Sequence, residues 1–176
     1  MLVATPYGQP LYESMGFQTV EHIVRLVAPR GASLPAAGAV EAMTEADLTL
    51  AWKLDRMAYA VERSQVLRHR WAQVEGGVML PDGTGFAWKT VQRGGLVIGP
   101  VIARNPDDAA CLVGHLTAGF AGRIKIEVPE RHAGLMAKLT SAGFVIDSTR
   151  PLMLKDAENL PGRRELLFGL ASLGFG

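Results

Sequence analysis

The sequence is poor in the features that usually announce a function. One cysteine, Cys111, stands among 176 residues, which excludes an internal disulfide and makes a reducing compartment the expectation. No charge predominates: 18 basic against 17 acidic side chains leave +1, too little to steer nucleic acid or an anionic membrane surface. No apolar run approaches the ~20 residues that a bilayer span requires. Met1 to Pro6 shows no basic leader ahead of an apolar segment. The four histidines include no pair with Cys, His or Asp companions at metal-ligand spacing. These absences predict a soluble, cytoplasmic protein without metal, nucleic-acid or membrane partners. Core material, in contrast, is plentiful. Apolar types make up 48% and charged types 20% of a chain of single-domain length, a composition that argues against disorder.

The apolar pattern is organised around residues 84 to 154. Gly85 to Val91 and Leu96 to Ala103 read as a strand pair turned by Arg93, Gly94 and Gly95. Asn105 can cap a helix that has Pro106 at its first position, where a missing N–H costs nothing. That helix, Pro106 to Phe120, carries a stripe of Ala109, Leu112, Val113, Leu116 and Phe120. Ile124, Ile126 and Val128 then alternate with Lys125 and Glu127 in a strand, Arg123 to Val128. A second helix follows at His132 to Ala142, and an apolar run at Phe144 to Leu154. Pro100, inside the 96–103 run, cannot donate to a ladder. It marks a bulge, an edge, or a point where two strands splay. The expected site is the junction of strand 96–103 with the loop Arg104 to Asp107.

Before this unit, Leu2 to Ala4 reads as a strand end. Thr5 and Pro6 open a helix bearing Leu11, Tyr12 and Met15, and Phe17 to Val27 is a strand whose broken alternation at Ile23 predicts burial of both faces. Residues 28–39, with Pro29, Arg30, Gly31 and Pro35, form a linker. A short strand is expected within Ala39 to Met43. Thr44 with Asp47 starts a helix running through about Tyr59, and a second helical segment covers Glu62 to Gln73. Val74 to Leu80 is a further strand ahead of the turn Pro81-Asp82-Gly83. The tail offers a polar hairpin loop, Asp156 to Arg164, and a final strand, Glu165 to Leu173. Residues 5–27 superpose on 132–154 at an offset of 127: each is helix, Gly-Phe, strand, with Gly16 on Gly143 and Tyr12 on Leu139.

Few side chains are placed for chemistry. Glu127 is placed to act as a general base, directly or through water, although its parity puts it on the side opposite Ile126 and Val128, which reads as the solvent side. Asp55, Tyr59 and Arg63 share one helical face at spacings of four and suit either an acceptor cleft or a helix-joining ion pair. Cys111 has no evident base nearby, and His69 lies between Arg68 and Arg70 as a solvated group.

The run from Leu2 to Phe17, with its Leu11-Tyr12 followed by Gly16-Phe17, resembles the late motif of the GCN5-related N-acetyltransferases (GNAT). From Glu41 on, the chain resembles the second, divergent domain of bacterial tandem members. Asp55 to Tyr59 with Glu62 to Leu67 is similar to its first-helix signature, Ile98 to Ala103 to its central strand, and Pro151 to Leu154 and Phe168 to Gly176 to its last strands. The resemblance implies an α/β, GNAT-like (acyl-CoA N-acyltransferase) mixed central sheet flanked by helices. It implies that 1–27 is the remnant of a first domain, 28–39 a linker and 40–176 a divergent second domain. It further implies transfer of an acetyl group from acetyl-CoA to a small-molecule or peptide amine, with Tyr12 as the acid that protonates the departing thiolate. Cofactor contacts would fall on Ile102, Ala103, Arg104 and Asn105, because the family pairs the pantetheine arm with its fourth strand and cradles the pyrophosphate at the next helix start. The chain departs from that pattern where the family has glycines, since Asn105, Pro106, Asp107 and Asp108 put a proline and two carboxylates in the cradle. The alternative is therefore a non-catalytic GNAT-like ligand-binding or dimerisation module. The unpartnered helix–strand pair 1–27 makes a homodimer the expected way to cover its apolar face.

Overall fold

The computed structural model describes residues 1–29, 32, 34–92 and 95–175, with the Phe175 side chain outside that set. Arg30 and Gly31 of the linker, Arg93 and Gly94 of the expected turn, and Gly176 of the tail lie outside the described residues. Nine strands of the described residues form one mixed sheet: β1 (Leu2–Val3), β2 (Gln18–Ala28), β3 (Glu41–Ala42), β4 (Gly76–Met79), β5 (Phe86–Gln92), β6 (Gly95–Ile102), β7 (Arg123–Pro129), β8 (Val145–Leu154) and β9 (Leu167–Gly169). Five α-helices accompany them: α1 (Gln9–Ser14), α2 (Leu48–Tyr59), α3 (Ser64–Trp71), α4 (Pro106–Thr117) and α5 (Ala133–Ser141). The spatial order is β1-β8-β2-β7-β6-β5-β4-β3, with β9 against the second half of β6. The pair β6–β7 is parallel, Gly95–Ile98 on Arg123–Ile126, as the βαβ reading requires, and its crossover is α4. No helix among the described residues is long and apolar enough to cross a membrane.

Period-two alternation sorts the strands between two cores. Ile98, Ile124, Ile126 and Leu26 face α4 and α5, where they meet Leu112, Leu116, Leu135 and Leu139. Phe86, Trp88, Ile102 and Ile23 face the other way, toward Tyr59 of α2 and Leu67 of α3. Each of these aliphatic and aromatic side chains is nearly sealed from water and contributes about 1.5–3 kcal/mol on burial. Burial on both faces explains the loss of strict alternation at Ile23, which β2 carries as a central strand between β7 and β8.

Local chemistry sets the helix ends. Asn105 Oδ1 accepts from the N–H groups of Asp107 at 3.0 Å and Asp108 at 2.9 Å, and Pro106 occupies the position that needs no donor. Asp47 Oδ2 accepts from Thr44 N–H at 2.7 Å and from its hydroxyl at 2.9 Å, and these bonds hold the Asp47 carboxyl below its usual pKa. The two Gly-Phe exits superpose in detail. Gly16 and Gly143 have φ of +87° and +91°, and Phe17 and Phe144 each donate back five residues, to Tyr12 and Leu139. Strands β2 and β8, which follow these exits, are antiparallel neighbours, so the repeated units lie side by side in one sheet.

The tail departs from expectation. Arg164–Leu166 is a 3₁₀ turn, the strand shortens to Leu167–Gly169, and it pairs with β6 rather than closing a hairpin on β8. We expect Asn105→Ala to lower unfolding stability by about 1 kcal/mol in urea denaturation, because two helix-start N–H donors lose their acceptor.

Candidate active site

Strands β6 and β7 run together only as far as Ile98 and Ile126. Beyond them comes Pro100, after a cis Gly99–Pro100 peptide, and the strands part; of the three readings of this proline, two hold, a splay from β7 and a register shift against β5 between Ile98 and Val101. The wedge between them is filled by the chain's own tail. Val101 pairs with Gly169 and Ile102 with Leu167, and Ala103 N–H donates to the Leu166 carbonyl at 3.0 Å. On the other side, Leu170 N–H donates to the Glu127 carbonyl at 2.9 Å. The fit is close: a Cβ on Gly99 would lie 2.0 Å from the Leu170 carbonyl oxygen, and one on Gly169 would lie 2.9 Å from Val101. Leu167 and Leu170 enter the α2/α3 core, while Phe168 enters the α4/α5 core and stacks on His132 at 3.8 Å.

The expected cofactor residues are thus already engaged within the chain. Ile102 and Ala103 spend their backbone groups on the tail. Arg104 reaches Asp82 at 2.7 Å and Asp108 at 3.4 Å. Asn105 caps α4 and also donates to Asp108 at 2.9 Å, and Asp107 pairs with Lys138 at 2.8 Å. An arriving pyrophosphate would find two carboxylates at this helix start, with the Asp107 and Asp108 N–H groups already bonded to Asn105.

Glu127 is not solvent-facing as its parity suggested. It is 3% exposed. Arg25, directly opposite on β2, donates from Nε and approaches with Nη2, both at 2.8 Å from Oε1. Oε2 is buried without a partner among the described residues. Lys125 stands on the same side of β7, its pKa lowered by burial against the opposing pull of Glu127. Tyr12 sits on α1, half-buried, edge-on to Phe17 at 5.6 Å between ring centres. No hydrogen bond, ion pair or ring contact among the described residues links Tyr12 to Glu127. Tyr12 lies on α1 and Glu127 in β7.

Asp55, Tyr59 and Arg63 do come together, as a joint between helices. Arg63 grips the buried Asp55 carboxylate through two bonds of 3.0 Å, across the left-handed residue Ala60. Burial nevertheless pushes the Asp55 carboxyl and the Tyr59 phenol upward. The Tyr59 ring lies 3.5 Å from the Arg63 guanidinium and 4.2 Å from that of Arg164. Arg164, the Glu21–Arg131 pair and the His132–Phe168 stack were not legible beforehand, since each joins residues distant in sequence. His115 meets the Gly38 carbonyl at 3.0 Å, His69 meets Gln73 at 3.5 Å, and no metal-holding cluster occurs among the described residues.

Two outcomes follow from the filled splay. Leu167→Ala should cost about 2–5 kcal/mol in denaturant unfolding, and deletion of residues 165–176 should yield a destabilised chain with exposed apolar surface rather than an open cleft. His132, buried beside Phe168, has its pKa pushed down to about 4, chiefly by burial. The unfolded chain therefore binds more protons between about pH 6.5 and pH 4, so stability is full above 6.5 and falls as the pH drops through that window, by at most ~3 kcal/mol. His132→Phe should flatten this slope in pH-dependent urea titrations.

Comparison with known proteins agrees with the topology. Residues 51–169 match the family model described as Acetyltransferase (GNAT) domain. The chain is 27% identical over 187 residues to the uncharacterized N-acetyltransferase YitH of Bacillus subtilis (strain 168), covering 99% of this chain and 64% of that one. A Pyrococcus horikoshii protein named as a candidate acetyltransferase superposes with TM-score 0.78 at 18% identity, over 98% of this chain and 58% of the other. Eis1 of Mycobacterium abscessus superposes at 0.61 with 18% identity, over 86% and 45%. This chain thus spans less than two thirds of each of these relatives. With a parallel pair that splays at the crossover helix, and a family model matched over more than half its length, the chain belongs to the GNAT acetyltransferase family.

Proposed function

We propose that this chain serves the transfer of an acetyl group from acetyl-CoA to an amine as the half of an N-acetyltransferase that does not itself hold acetyl-CoA. The observation that carries this reading is the tail seated in the β6/β7 splay: the backbone groups of Val101, Ile102 and Ala103 that a pantetheine arm would need are paired with Leu166, Leu167 and Gly169. On this reading residues 1–27 are the end of a first, cofactor-holding domain, 28–39 the linker, and 40–176 its divergent partner, into whose sheet β2 is built as a central strand between β7 and β8. The greater length of YitH supports it. So does α1, which has no buried residue and, with its flanks, leaves Tyr7, Leu11 and Met15 exposed, as an element that packs against a neighbouring domain would.

In this arrangement Tyr12 supplies a phenol to the thiolate leaving acetyl-CoA bound in the neighbouring domain, and the acetyl carbon passes to the neutral amine, whose proton goes to a base. Glu127, buried in β7 and held by Arg25, is not brought together with Tyr12, so this reading gives it no part in the step at the neighbouring domain. Titration calorimetry with acetyl-CoA, followed by assays on an amine panel, tests both halves of the reading. A form extended upstream of Met1 should bind and turn over, and should lose turnover on Tyr12→Phe, while the present chain should bind none. Binding by neither form contradicts acetyl transfer. Turnover by the present chain that vanishes on Arg104→Ala contradicts the assignment of the cofactor to another domain.

A further inference from the structure

The two helix–Gly-Phe–strand units are related by a pseudo-twofold axis that the strand register locates. Ile23 of β2 stands opposite Arg150 of β8, its own equivalent at the offset of 127. About that pair the other partners exchange. Arg25 faces Ser148 as Glu21 faces Leu152, and Leu26 faces Ile146 as Thr19 faces Met153. The irregularities obey the axis too, one falling between Thr19 and Glu21 and the other between Arg25 and Leu26. The same operation carries β7 onto β1. Ile126 and Glu127 face Leu26 and Arg25, while Leu2 and Val3 face Met153 and Leu152, the equivalents of Leu26 and Arg25. It also carries α5 onto α1, so that Ser141 at the end of one helix matches Ser14 at the end of the other.

The two halves differ in their cover. The outer edge of β7 is held by the parallel strand β6, then by the tail at the Glu127 carbonyl, and α4, which joins β6 to β7, packs on Leu135 and Leu139 of α5. Strand β1 ends the sheet. Ala4 N–H donates to the Pro151 carbonyl at 2.9 Å, so by the alternation of an antiparallel ladder the Val3 N–H and carbonyl point away from β8, toward an edge with no strand among the described residues. On α5, Lys138 bonds Asp107 at the start of α4 at 2.8 Å, and Ala142 lines a cavity with Cys111 of α4. The equivalent residues of α1 are Leu11 and Met15, which are 61% and 51% exposed. We infer that β1 and α1 form the docking surface for a strand–helix unit placed as β6 and α4 are, its strand parallel to β1 and bonded to Val3, its helix leading into β1 and laid across α1. Parallel neighbours need a crossover, and in a βαβ unit the crossover is that helix. The positions it meets set its chemistry: where α4 offers Asp107 to Lys138, this helix offers apolar side chains to Leu11, and where a cavity adjoins Ala142, Met15 fills the space. More than a third of YitH lies outside its match to this chain, ample for a unit of ~30 residues. The inference rests on the reading of residues 1–27 as the end of a first domain, and gives that domain its seat.

The chain's single cysteine makes a clean background for the test. Alkylation by iodoacetamide of Leu11→Cys, Met15→Cys and, as a control on β5, Val91→Cys is followed in a Cys111→Ser background, all three positions being exposed in the present chain. The present chain and the form extended upstream of Met1 are compared without acetyl-CoA. In the present chain the three should react at similar rates. In the extended form Leu11→Cys and Met15→Cys should slow about tenfold or more with Val91→Cys unchanged, and hydrogen exchange of the Val3 amide in the unmodified protein should slow by the same order. Leu11→Cys and Met15→Cys as reactive in the extended form as in the present chain, with the Val3 amide exchanging fast, overturn the inference even where that form binds acetyl-CoA. Slowing in an extended form that fails to bind acetyl-CoA upholds the docking and sinks the acetyl-transfer reading alone. Slowing in the present chain that grows with protein concentration puts a second copy on this face and overturns the inference.

Discussion

The structure depends on one insertion: five residues of the tail, Leu166 to Leu170, laid between two strands that would otherwise diverge. A parallel pair that splays leaves two rows of backbone donors and acceptors without partners, and unpaired backbone groups in a core are costly. A ligand with amide groups can satisfy them, and so can more backbone. Here the chain satisfies them itself, with Gly99 and Gly169 providing the close approach that a Cβ would forbid. The side chains of the insert then serve both cores at once, Phe168 on the α4/α5 side and Leu167 and Leu170 on the other. Because those side chains are almost fully buried, the insert is part of the core and not a lid resting on it.

The polar groups around the splay follow the same economy. Arg104, Asn105, Asp107 and Asp108, at the mouth where the family's cradle would be, are bonded to one another, to Asp82 and to Lys138. On the opposite face, Asp55 and Arg63 lock the α2–α3 joint and Arg131 clamps Glu21. Glu127 differs, in having one carboxylate oxygen fully engaged by Arg25 and the other buried without a partner among the described residues.

Much of the fold was legible in short-range patterns. The stripe Ala109, Leu112, Val113, Leu116 specified α4, the alternation Ile124, Ile126, Val128 specified β7, and Asn105-Pro106 and the two Gly-Phe exits set helix ends by backbone chemistry alone. Pro100 announced a break in the ladder, and the break is there. The unread part was long-range. Parity cannot say whether the face opposite Ile126 is open or covered, so it puts Glu127 on the solvent side, whereas the side chain is buried with Arg25 of β2 against its carboxylate. A strand pattern at 165–173 likewise does not name its partner. The pairing with β6 rests on the shape of a wedge that forms only in three dimensions. The linker reads as an exposed connection, and residues 35–39 are exposed, although Pro35 and Gly38 lie against α4.

The central claim is that the splay is permanently occupied by the chain's own backbone. Native-state hydrogen exchange of the Ala103 and Leu170 amides, the two that bond across the insert, measures this most directly. The account predicts exchange as slow as that of the β6–β7 amides near Ile98 and Ile126, unchanged by saturating acetyl-CoA. Fast local exchange at these two amides, or its acceleration by acetyl-CoA with the rest of the sheet protected, would show a displaceable tail and contradict it.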